Sequence, residues 1–353
     1  MVSSVWARNG VVLPQFRRWS NARAKLLSIM RALYKWRKFI SVLAIVVVIG
    51  VIVTLTFGVH IPYLNDSNTR GTVNPSSVTT CDPFLTQSDP LFTRCPSFLA
   101  NYSGEKNGSI DTNEFNVYTG VAPANQEAEY YTDNSANLRV ENGSLWLEAL
   151  NQPDHGYSYT SARVDTQGKE NFLYGKIVVR AVMPDGVGTW PAIWMLPSQP
   201  RYEYLSPPSD TARFLNDGEI DIAESIGTQP HVVYGVAHSL AYPSDGANRD
   251  YYSTITIPND NTTYHDYEVD WTPTSITFSI DGQSYYTYSK KPGATWQSWP
   301  FNQPFYLVMN LAIGGSWAGS DTAQYPGDGV DKSVLPTALK VQSVNYYSYI
   351  GQQ

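Results

Sequence analysis

Three carboxylic residues stand close together in one short segment of the chain, at Glu219, Asp221 and Glu224. They alternate with Ile and Ala directly after a turn, as in a β-strand that begins at a loop. On a regular strand Glu219 and Asp221 share one face, whereas Glu224 points to the other face. A β-bulge between Asp221 and Glu224 adds one residue and returns Glu224 to the face of Glu219.

Two carboxyl groups on one face of a strand could hydrolyse a glycosidic bond. With the bulge, Glu219 and Glu224 are about four strand steps, roughly 13 Å, apart at the backbone. Side chains that lean inward can reach the ~5–5.5 Å separation that retaining glycosidases use. Repulsion among the three carboxylates predicts that one holds a proton at neutral pH, which provides an acid and a nucleophile. The alternative is a solvated acidic edge strand without a catalytic role.

Tryptophans flank this segment on both sides in sequence. Sugar rings present C–H faces that stack on aromatic side chains, so clefts lined by Trp are a common means of holding an uncharged polysaccharide. Packing in the core is the other role open to each Trp, and we expect Trp271 to be mostly core. The six are Trp190, Trp194, Trp271, Trp296, Trp299 and Trp317.

The elements that must position these side chains are predicted to be short antiparallel strands. Asn142-Gly143 and Asp281-Gly282 each lie between two apolar runs, which is the pattern of a β-hairpin with a two-residue turn. Residues 175–184 alternate apolar with charged positions, as in a half-buried strand. Because no helical periodicity intervenes, the sequence favours an all-β sandwich.

An apolar segment at residues 39–59 carries no charge. At 1.5 Å per residue it forms a helix of roughly 31 Å, long enough to cross a bilayer. Nine Lys and Arg residues and no acidic residue precede it. By the positive-inside rule, residues 1–38 form a basic cytoplasmic tail and the chain after residue 59 is extracellular or lumenal. A buried core helix and a cleaved signal peptide are the alternatives.

The exported part of the chain is acidic. It holds 15 of the 24 Lys and Arg residues and all 31 Asp and Glu residues, a net charge of −16. This charge disfavours nucleic acid and sulfated polyanions as ligands. No C-x-x-C or H-E-x-x-H pattern occurs, so the sequence predicts no zinc site.

A stalk is predicted at residues 60–100, which are rich in Ser, Thr, Asn and Pro and show little periodicity. Cys81 and Cys95 are the two cysteines of the chain, and both lie on the exported side. Oxidation is permitted there, so we expect a Cys81–Cys95 disulfide. Two buried free thiols are the alternative.

Several segments together resemble glycoside hydrolase family 16, in particular its laminarinase-like members. The motif GEIDIAES, at residues 218–225, carries the three carboxylates, and WPFNQPFYLVMNLAIGGSWAG stands at residues 299–319. Residues 125–149, 159–197 and 264–282 follow the same pattern in the same order. The resemblance covers about residues 100–350.

The resemblance implies a jelly-roll β-sandwich of the concanavalin-like type with an open concave cleft and a retaining mechanism. By position, Glu219 corresponds to the nucleophile and Glu224 to the general acid/base. Asp221 corresponds to the auxiliary carboxylate that hydrogen-bonds the nucleophile. Substrate-binding positions are expected at Trp190, Trp194, Trp317, His238, Asn125 and Arg163. Residues 101–353 would then form the catalytic domain.

No cofactor or metal is expected for this chemistry, although a structural calcium ion held by backbone oxygens occurs in the family. The expected partner is a β-glucan polysaccharide, and we expect a monomer that contacts the membrane through residues 39–59. One departure from the family pattern precedes the carboxylates, where Arg213 to Gly218 replace a common Trp-Pro. The cleft wall on that side is therefore expected to differ.

Three functions stay open from the sequence. The first is an endo-acting β-1,3- or β-1,3(4)-glucanase. The second is a transglycosylase of the same fold that remodels cell-wall glucan by passing the glycosyl group to a sugar hydroxyl. The third is a non-catalytic glucan-binding lectin, which the presence of Glu219, Asp221 and Glu224 together disfavours. Longer products formed with an added acceptor oligosaccharide distinguish transfer from hydrolysis.

The predicted topology can be tested on intact cells that express the full chain. Protease added outside should release a fragment of roughly residues 60–353 and leave the basic tail protected, because the tail lies behind the bilayer. Immunoblots against tags at both termini report the two fragments. The opposite protection pattern, or a secreted form that starts after residue 59, would contradict the anchor.

Overall fold

A computed structural model describes residues 86–122, 125–202, 213–241, 251–319 and 327–351. Within these residues the chain forms seventeen β-strands and the four-residue helix α1, Gly315–Ala318. Short 3₁₀ turns occur at Arg213–Asn216 and Lys332–Val334. In chain order the strands are β1 Phe98–Asn101, β2 Asn116–Val117, β3 Glu129–Tyr131, β4 Leu138–Glu141, β5 Ser144–Ala149, β6 Tyr159–Ser161, β7 Arg163–Asp165, β8 Gly175–Val182, β9 Thr189–Pro197, β10 Glu219–Ser225, β11 Val232–His238, β12 Tyr252–Thr256, β13 His265–Trp271, β14 Ser275–Ile280, β15 Gln283–Ser289, β16 Phe305–Ile313 and β17 Thr337–Tyr347.

Two large antiparallel sheets make up the sandwich. Sheet A has seven strands in the order β12-β11-β10-β9-β16-β7-β2. Sheet B has eight strands, in the order β15-β14-β13-β8-β17-β5-β4 with β1 added beside β17. Strands β3 and β6 form a separate parallel pair. The all-β sandwich expected from the sequence is therefore confirmed.

The core lies between the two sheets and follows the two-residue period of a strand. In β9, Ile193 and Met195 are buried in the core cluster, whereas Trp190 and Trp194 are half-buried on the other face. Residues of β16 alternate in the same way, and all of them are buried. Alternation leaves sheet A with a core face and an outer face, and the outer face is free to carry polar and aromatic side chains.

Both predicted hairpin turns are present. Asn142 and Gly143 join β4 to β5 with φ angles of 51° and 75°, and Asp281 and Gly282 join β14 to β15 with the same two values. Positive φ at both central residues is the requirement of a type I′ turn, which Asn-Gly and Asp-Gly meet at low cost. The two turns predicted from the sequence thus fix the pairing register of β4 with β5 and of β14 with β15.

Part of the segment assigned to the stalk pairs with sheet B. Phe98 lies opposite Tyr346 of β17 and is buried in the core, and Phe92 forms an isolated bridge with Tyr349. The apolar residues that pack against sheet B here are interrupted by Pro and Ser residues. The two-residue alternation typical of a strand is therefore absent, and the sequence did not predict this pairing. Cys95 is disulfide-bonded. Its predicted partner lies outside the described residues.

The N-terminal predictions also fall outside the described residues. Neither the basic tail, at residues 1–38, nor the apolar segment, at residues 39–59, is among them. No helix in the part of the chain that the structure describes combines the length and the apolar character that a bilayer crossing requires. The membrane anchor therefore stays a prediction.

Trp271 should be a principal contributor to stability. As expected it is fully buried, and its Nε1 donates a hydrogen bond of 3.1 Å to the carbonyl oxygen of Phe301. Its ring packs edge-on against Phe305, with 5.4 Å between the ring centroids. Trp271→Ala should lower the free energy of unfolding by about 3–5 kcal/mol, because a large cavity replaces the ring.

Trp146→Ala is the matched control, measured by urea denaturation under the same conditions. Trp146 is half-buried on the outer face of sheet B, where Lys340 Nζ lies 4.1 Å from its ring centroid. Loss of this contact should cost about 1 kcal/mol. Equal losses in the two variants would contradict the assignment of Trp271 to the core.

Candidate active site

Strand β10 carries a bulge where the sequence predicts one. Asp221 lies opposite Val236 of β11, whereas Glu224 lies opposite Tyr234. Three steps along β10 therefore match two steps along β11. The pairing with β9 shifts by one residue at the same place. Two neighbouring strands thus accommodate a single extra residue in β10.

The bulge sorts the side chains of β10 between the two faces of sheet A. Ile222 and Ala223 are both buried in the core cluster, although they are consecutive. Glu224 is thereby returned to the outer face, which it shares with Glu219 and Asp221. The sequence expectation that all three carboxyl groups meet on one face is confirmed.

Asp221 is the central member of the carboxylate group. It is 1% exposed and its side chain hydrogen-bonds that of Glu219, which is half-buried. Its Oδ2 lies 3.1 Å from Nε2 of His238, and His238 is the residue opposite Glu219 in β11. The predicted site residues Glu219, Asp221 and His238 are therefore brought together.

Burial raises the pKa of all three carboxyl groups. It raises the pKa of Asp221 from 3.8 to about 7 and that of Glu224 from 4.5 to about 8. The pKa of Glu219 is well above its ordinary value, since the nearby charge of Asp221 adds to the effect of burial. At neutral pH the group therefore holds at least one proton, as a combined acid and nucleophile requires.

An aromatic wall borders Glu224. Trp190 Nε1 donates a hydrogen bond of 2.9 Å to Glu224 Oε1. The ring of Trp317, on helix α1, meets Trp190 edge-on with 5.1 Å between the ring centroids, and Tyr234 meets Trp317 at 5.0 Å. Tyr234 was not identified from the sequence, although its position opposite Glu224 in β11 places it on the outer face.

A second aromatic wall surrounds Trp194, which lies opposite Asp221 in β9. Trp194 Nε1 donates a hydrogen bond of 2.7 Å to Asn310 Oδ1. The guanidinium of Arg163 lies 5.0 Å from the ring centroid of Trp194 and 5.0 Å from that of Tyr118. The structure thus brings together Trp194 and Arg163, both expected from the sequence to bind substrate, and adds Asn310, which the sequence did not identify.

Asn125 reaches the site mainly through its backbone. Its carbonyl oxygen accepts a hydrogen bond of 2.7 Å from the N–H of Ser316, next to Trp317. Asn125 and Gln126 are exposed and adopt positive φ angles of 66° and 56°. A Cβ atom on Gly315 would lie 2.9 Å from the Asn125 oxygen, so glycine is required for this close approach. The segment therefore holds the turn that presents Trp317.

The remaining tryptophans of the sequence set lie elsewhere. Trp299 is 2% exposed and belongs to the core, like Trp271. Trp296 stacks on Tyr202, with 5.2 Å between the ring centroids. Residue type alone did not separate these from Trp190 and the other outer-face tryptophans, because the distinction depends on strand register.

The chain is similar to several enzymes that act on β-glucans. A "Beta-glucanase" of Rhodothermus marinus is 40% identical over 232 residues, which cover 64% of this chain and 76% of the relative. A "Glucan endo-1,3-beta-glucosidase" of Cryptopygus antarcticus is 32% identical over 244 residues, covering 64% and 84%. The solved structure of the laminarinase from Rhodothermus marinus superposes with a TM-score of 0.64 at 37% identity, covering 72% of this chain and 98% of that one.

The family profile described as "Glycosyl hydrolases family 16" matches residues 112–332, the greater part of the chain. The match includes β10 with its three carboxylates, both aromatic walls and helix α1. It agrees with the resemblance drawn from the sequence motifs and with the jelly-roll sandwich of the solved relatives. The chain therefore belongs to the glycosyl hydrolases of family 16.

Proposed function

We propose that this hydrolase is an endo-acting β-1,3- or β-1,3(4)-glucanase that retains the anomeric configuration. The observation that supports it best is the bulged strand β10, which presents Glu219, Asp221 and Glu224 together beside Trp190. Relatives at 40% and 32% identity are named for β-glucan hydrolysis. The mechanism follows from the two roles that the carboxyl groups can divide between them.

In the first step the ionised Glu219 attacks the anomeric carbon. The protonated Glu224 gives its proton to the glycosidic oxygen, so the carbon–oxygen bond breaks and the leaving sugar departs with a hydroxyl group. A covalent glycosyl ester on Glu219 results. In the second step Glu224, now ionised, takes a proton from water while the water oxygen attacks the anomeric carbon. The ester bond breaks, and both residues return to their starting states.

Asp221 acts on Glu219 in this proposal. The two carboxyl groups share a hydrogen bond, so one of them must hold a proton. The attack requires that this proton lie on Asp221, because only then is Glu219 ionised. His238 Nε2 lies 3.1 Å from Asp221 Oδ2, so we assign it the role of orienting that carboxyl group. Asp221 and His238 are thus positioning residues for the nucleophile.

The substrate class follows from the side chains around the carboxylates. Trp190, Trp194 and Trp317 stand on or beside the outer face of sheet A and offer apolar ring surface for stacking on sugar faces. Residues 39–353 have a net charge of −16, which suits a neutral polysaccharide better than a sulfated one. The relative from Rhodothermus marinus is named for a β-glucan and that from Cryptopygus antarcticus for a 1,3-linked one.

No cofactor takes part in the proposed chemistry. Among the described residues, the group whose possible ligand atoms lie within 4.8 Å of one another is Glu219, Asp221 and His238. An ion bound there would occupy the nucleophile, so we assign this group to catalysis. A structural calcium ion, a monomeric state and anchoring through residues 39–59 remain proposals that rest on the sequence.

A substrate panel tests the proposed function. Reducing-end release should be highest on laminarin and second on lichenan, with little on xyloglucan, agarose or carrageenan. Glu219→Gln should abolish turnover because no nucleophile is left, and Glu224→Gln should lower it about 10²–10⁴-fold because the general acid is lost. Circular dichroism verifies that both variants fold.

Two outcomes of this panel would change the proposal. Cleavage of agarose or carrageenan with laminarin untouched would contradict the substrate class. Near-normal turnover by either Gln variant would contradict the assigned roles. With an acceptor oligosaccharide added, products longer than the donor would show that sugar transfer replaces hydrolysis.

The pH dependence of kcat/KM should report Glu224. A general acid works only while protonated, so kcat/KM should fall as pH rises through about 8, the pKa of Glu224. The Trp190 hydrogen bond favours the ionised form and lowers this pKa. Trp190→Phe should therefore move the alkaline limb of the profile to higher pH.

Trp317→Ala is the control for this pH shift. This variant loses a stacking contact with the substrate, so kcat/KM should fall by an amount equivalent to about 1–3 kcal/mol. The alkaline limb of the pH profile should not move, because Trp317 donates no hydrogen bond to Glu224. Equal limb shifts in the two variants, or no shift in Trp190→Phe, would contradict the assignment of the limb to Glu224.

A further inference from the structure

A second pair of carboxyl groups, Glu127 and Glu129, lies near the active site and takes no part in the mechanism above. Glu129 begins strand β3 and is fully buried. Glu127 is half-buried and forms an isolated bridge with Gly314, at the end of β16. Among the described residues neither carboxyl group has a Lys or Arg partner within ion-pair distance. A buried carboxyl group without a cation needs another explanation.

The contacts of the pair show where a proton must reside. Glu129 Oε2 accepts a hydrogen bond of 2.7 Å from the N–H of Ile313, while its Oε1 is buried and accepts none. Glu127 Oε2 accepts one of 3.1 Å from the hydroxyl of Tyr131. The two carboxyl groups also contact each other at hydrogen-bond distance. Two ionised carboxylates have no proton to share, so this contact requires one protonated member.

A relay of hydrogen bonds continues from Glu127 to the sugar-binding wall. Asn310 Nδ2 donates 3.1 Å to the Tyr131 oxygen, and Trp194 Nε1 donates 2.7 Å to Asn310 Oδ1. Every donor in this chain points toward Glu127. Glu127 is therefore the terminal acceptor of the relay, and Glu129, the fully buried member, is the one whose neutral form burial favours.

The same segment also holds the other aromatic wall through its backbone. Ala128 N–H donates 2.8 Å to the carbonyl oxygen of Ile313, and the Asn125 carbonyl accepts from Ser316, beside Trp317. The segment that carries the carboxyl pair is thus connected to Trp194 by side-chain hydrogen bonds and to the turn of Trp317 by backbone hydrogen bonds. A substitution in the pair should therefore alter the positions of both tryptophan rings.

We propose that Glu127 and Glu129 form a positioning pair, in which a protonated Glu129 holds an ionised Glu127 as the anchor that orients Trp194 for sugar binding. The pair is separate from Glu219 and Glu224 and touches no reacting atom. Its effect on glucan affinity rests on the proposed function, whereas its effect on stability does not.

The electrostatic surroundings agree with this division of charge. Burial raises the pKa of Glu129 well above its ordinary value, and the charge of Glu127 raises it further. The pKa of Tyr131 is also raised by burial, so its hydroxyl stays a donor. The titratable and charged groups that interact with the pair are Tyr131 on β3, Arg163 on β7, which acts on Tyr131, and Glu224 on β10, on which the charge of Glu127 acts. Tyr159 on β6 lies opposite Glu129 in the strand pairing and donates its hydroxyl to Asp328.

Variants at Glu129 and Tyr131 test the relay through KM on laminarin. Glu129→Gln keeps a donor for Glu127 and an acceptor for Ile313, so KM should stay within about twofold of the wild type. Glu129→Ala and Tyr131→Phe each break one link and should raise KM about tenfold while kcat changes little, since about one hydrogen bond of orientation is lost.

Tyr159→Phe is the matched control. Tyr159 is fully buried like Tyr131 and lies on the paired strand β6, but its hydroxyl stands nearer the surface and donates to Asp328, outside the relay. Its loss should leave KM unchanged. The proposal is overturned if Glu129→Gln raises KM as much as Glu129→Ala, or if Tyr131→Phe and Tyr159→Phe behave alike.

A second measurement is independent of any substrate. Between the ordinary pKa of 4.5 and the raised pKa, Glu129 is protonated in the folded chain and ionised in the unfolded chain. The folded state then binds more protons, so wild-type stability falls as pH rises through this window. Glu129→Gln lacks this loss, so its Tm relative to the wild type should rise as the pH increases above 4.5.

The two measurements separate the proposals. If the wild type leaves laminarin untouched, the proposed function fails, and the Tm comparison still tests the pair. A Tm difference that does not change with pH would show that Glu129 holds no extra proton and would overturn the pair. Should Glu129→Ala fail to fold, the comparison of Glu129→Gln with Tyr131→Phe decides the outcome.

Discussion

The bulge in β10 is the constraint on which the arrangement of the site depends. A strand without it would keep strict alternation and would turn Glu224 into the core, where an unpaired carboxylate costs several kcal/mol. The extra residue buries Ile222 and Ala223 together and returns Glu224 to the outer face. Both neighbouring strands adjust their register at this point, so the positions of Trp190 and Tyr234 beside Glu224 depend on the same irregularity.

Burial also explains why carboxyl groups so close together can remain in a folded protein. Removed from water, each favours its neutral form, and a neutral carboxyl group can donate a hydrogen bond that a carboxylate cannot. Asp221 with Glu219, and Glu129 with Glu127, are two uses of this effect. In the first pair the proposed mechanism requires that the shared proton lie on Asp221, so that the nucleophile is ionised when it attacks. In the second it replaces the cation that a buried carboxylate would otherwise need.

Features that depend on local chemistry could be predicted from the sequence. The Asn142-Gly143 turn, the bulge and the burial of Trp271 each follow from residue types within a few positions. Asn310 and Tyr234 could not be found in this way, because their roles arise from pairing with strands far away in sequence. Trp299 shows the same limit: it has the composition of a sugar-binding residue, and only the register of the fold places it in the core.

The distribution of charge around the site argues for an uncharged substrate on structural grounds as well as on net charge. Arg163 is the cation among the substrate-binding positions expected from the sequence, and its guanidinium lies 5.0 Å from the ring centroids of both Tyr118 and Trp194. A guanidinium in contact with two aromatic rings stiffens the aromatic wall, and these contacts reduce its availability to a sulfate group. The carboxylates around Glu219 and at Glu127 would repel such a group further. Recognition must then depend on stacking and on hydrogen bonds to hydroxyl groups, which are the contacts that a neutral glucan offers.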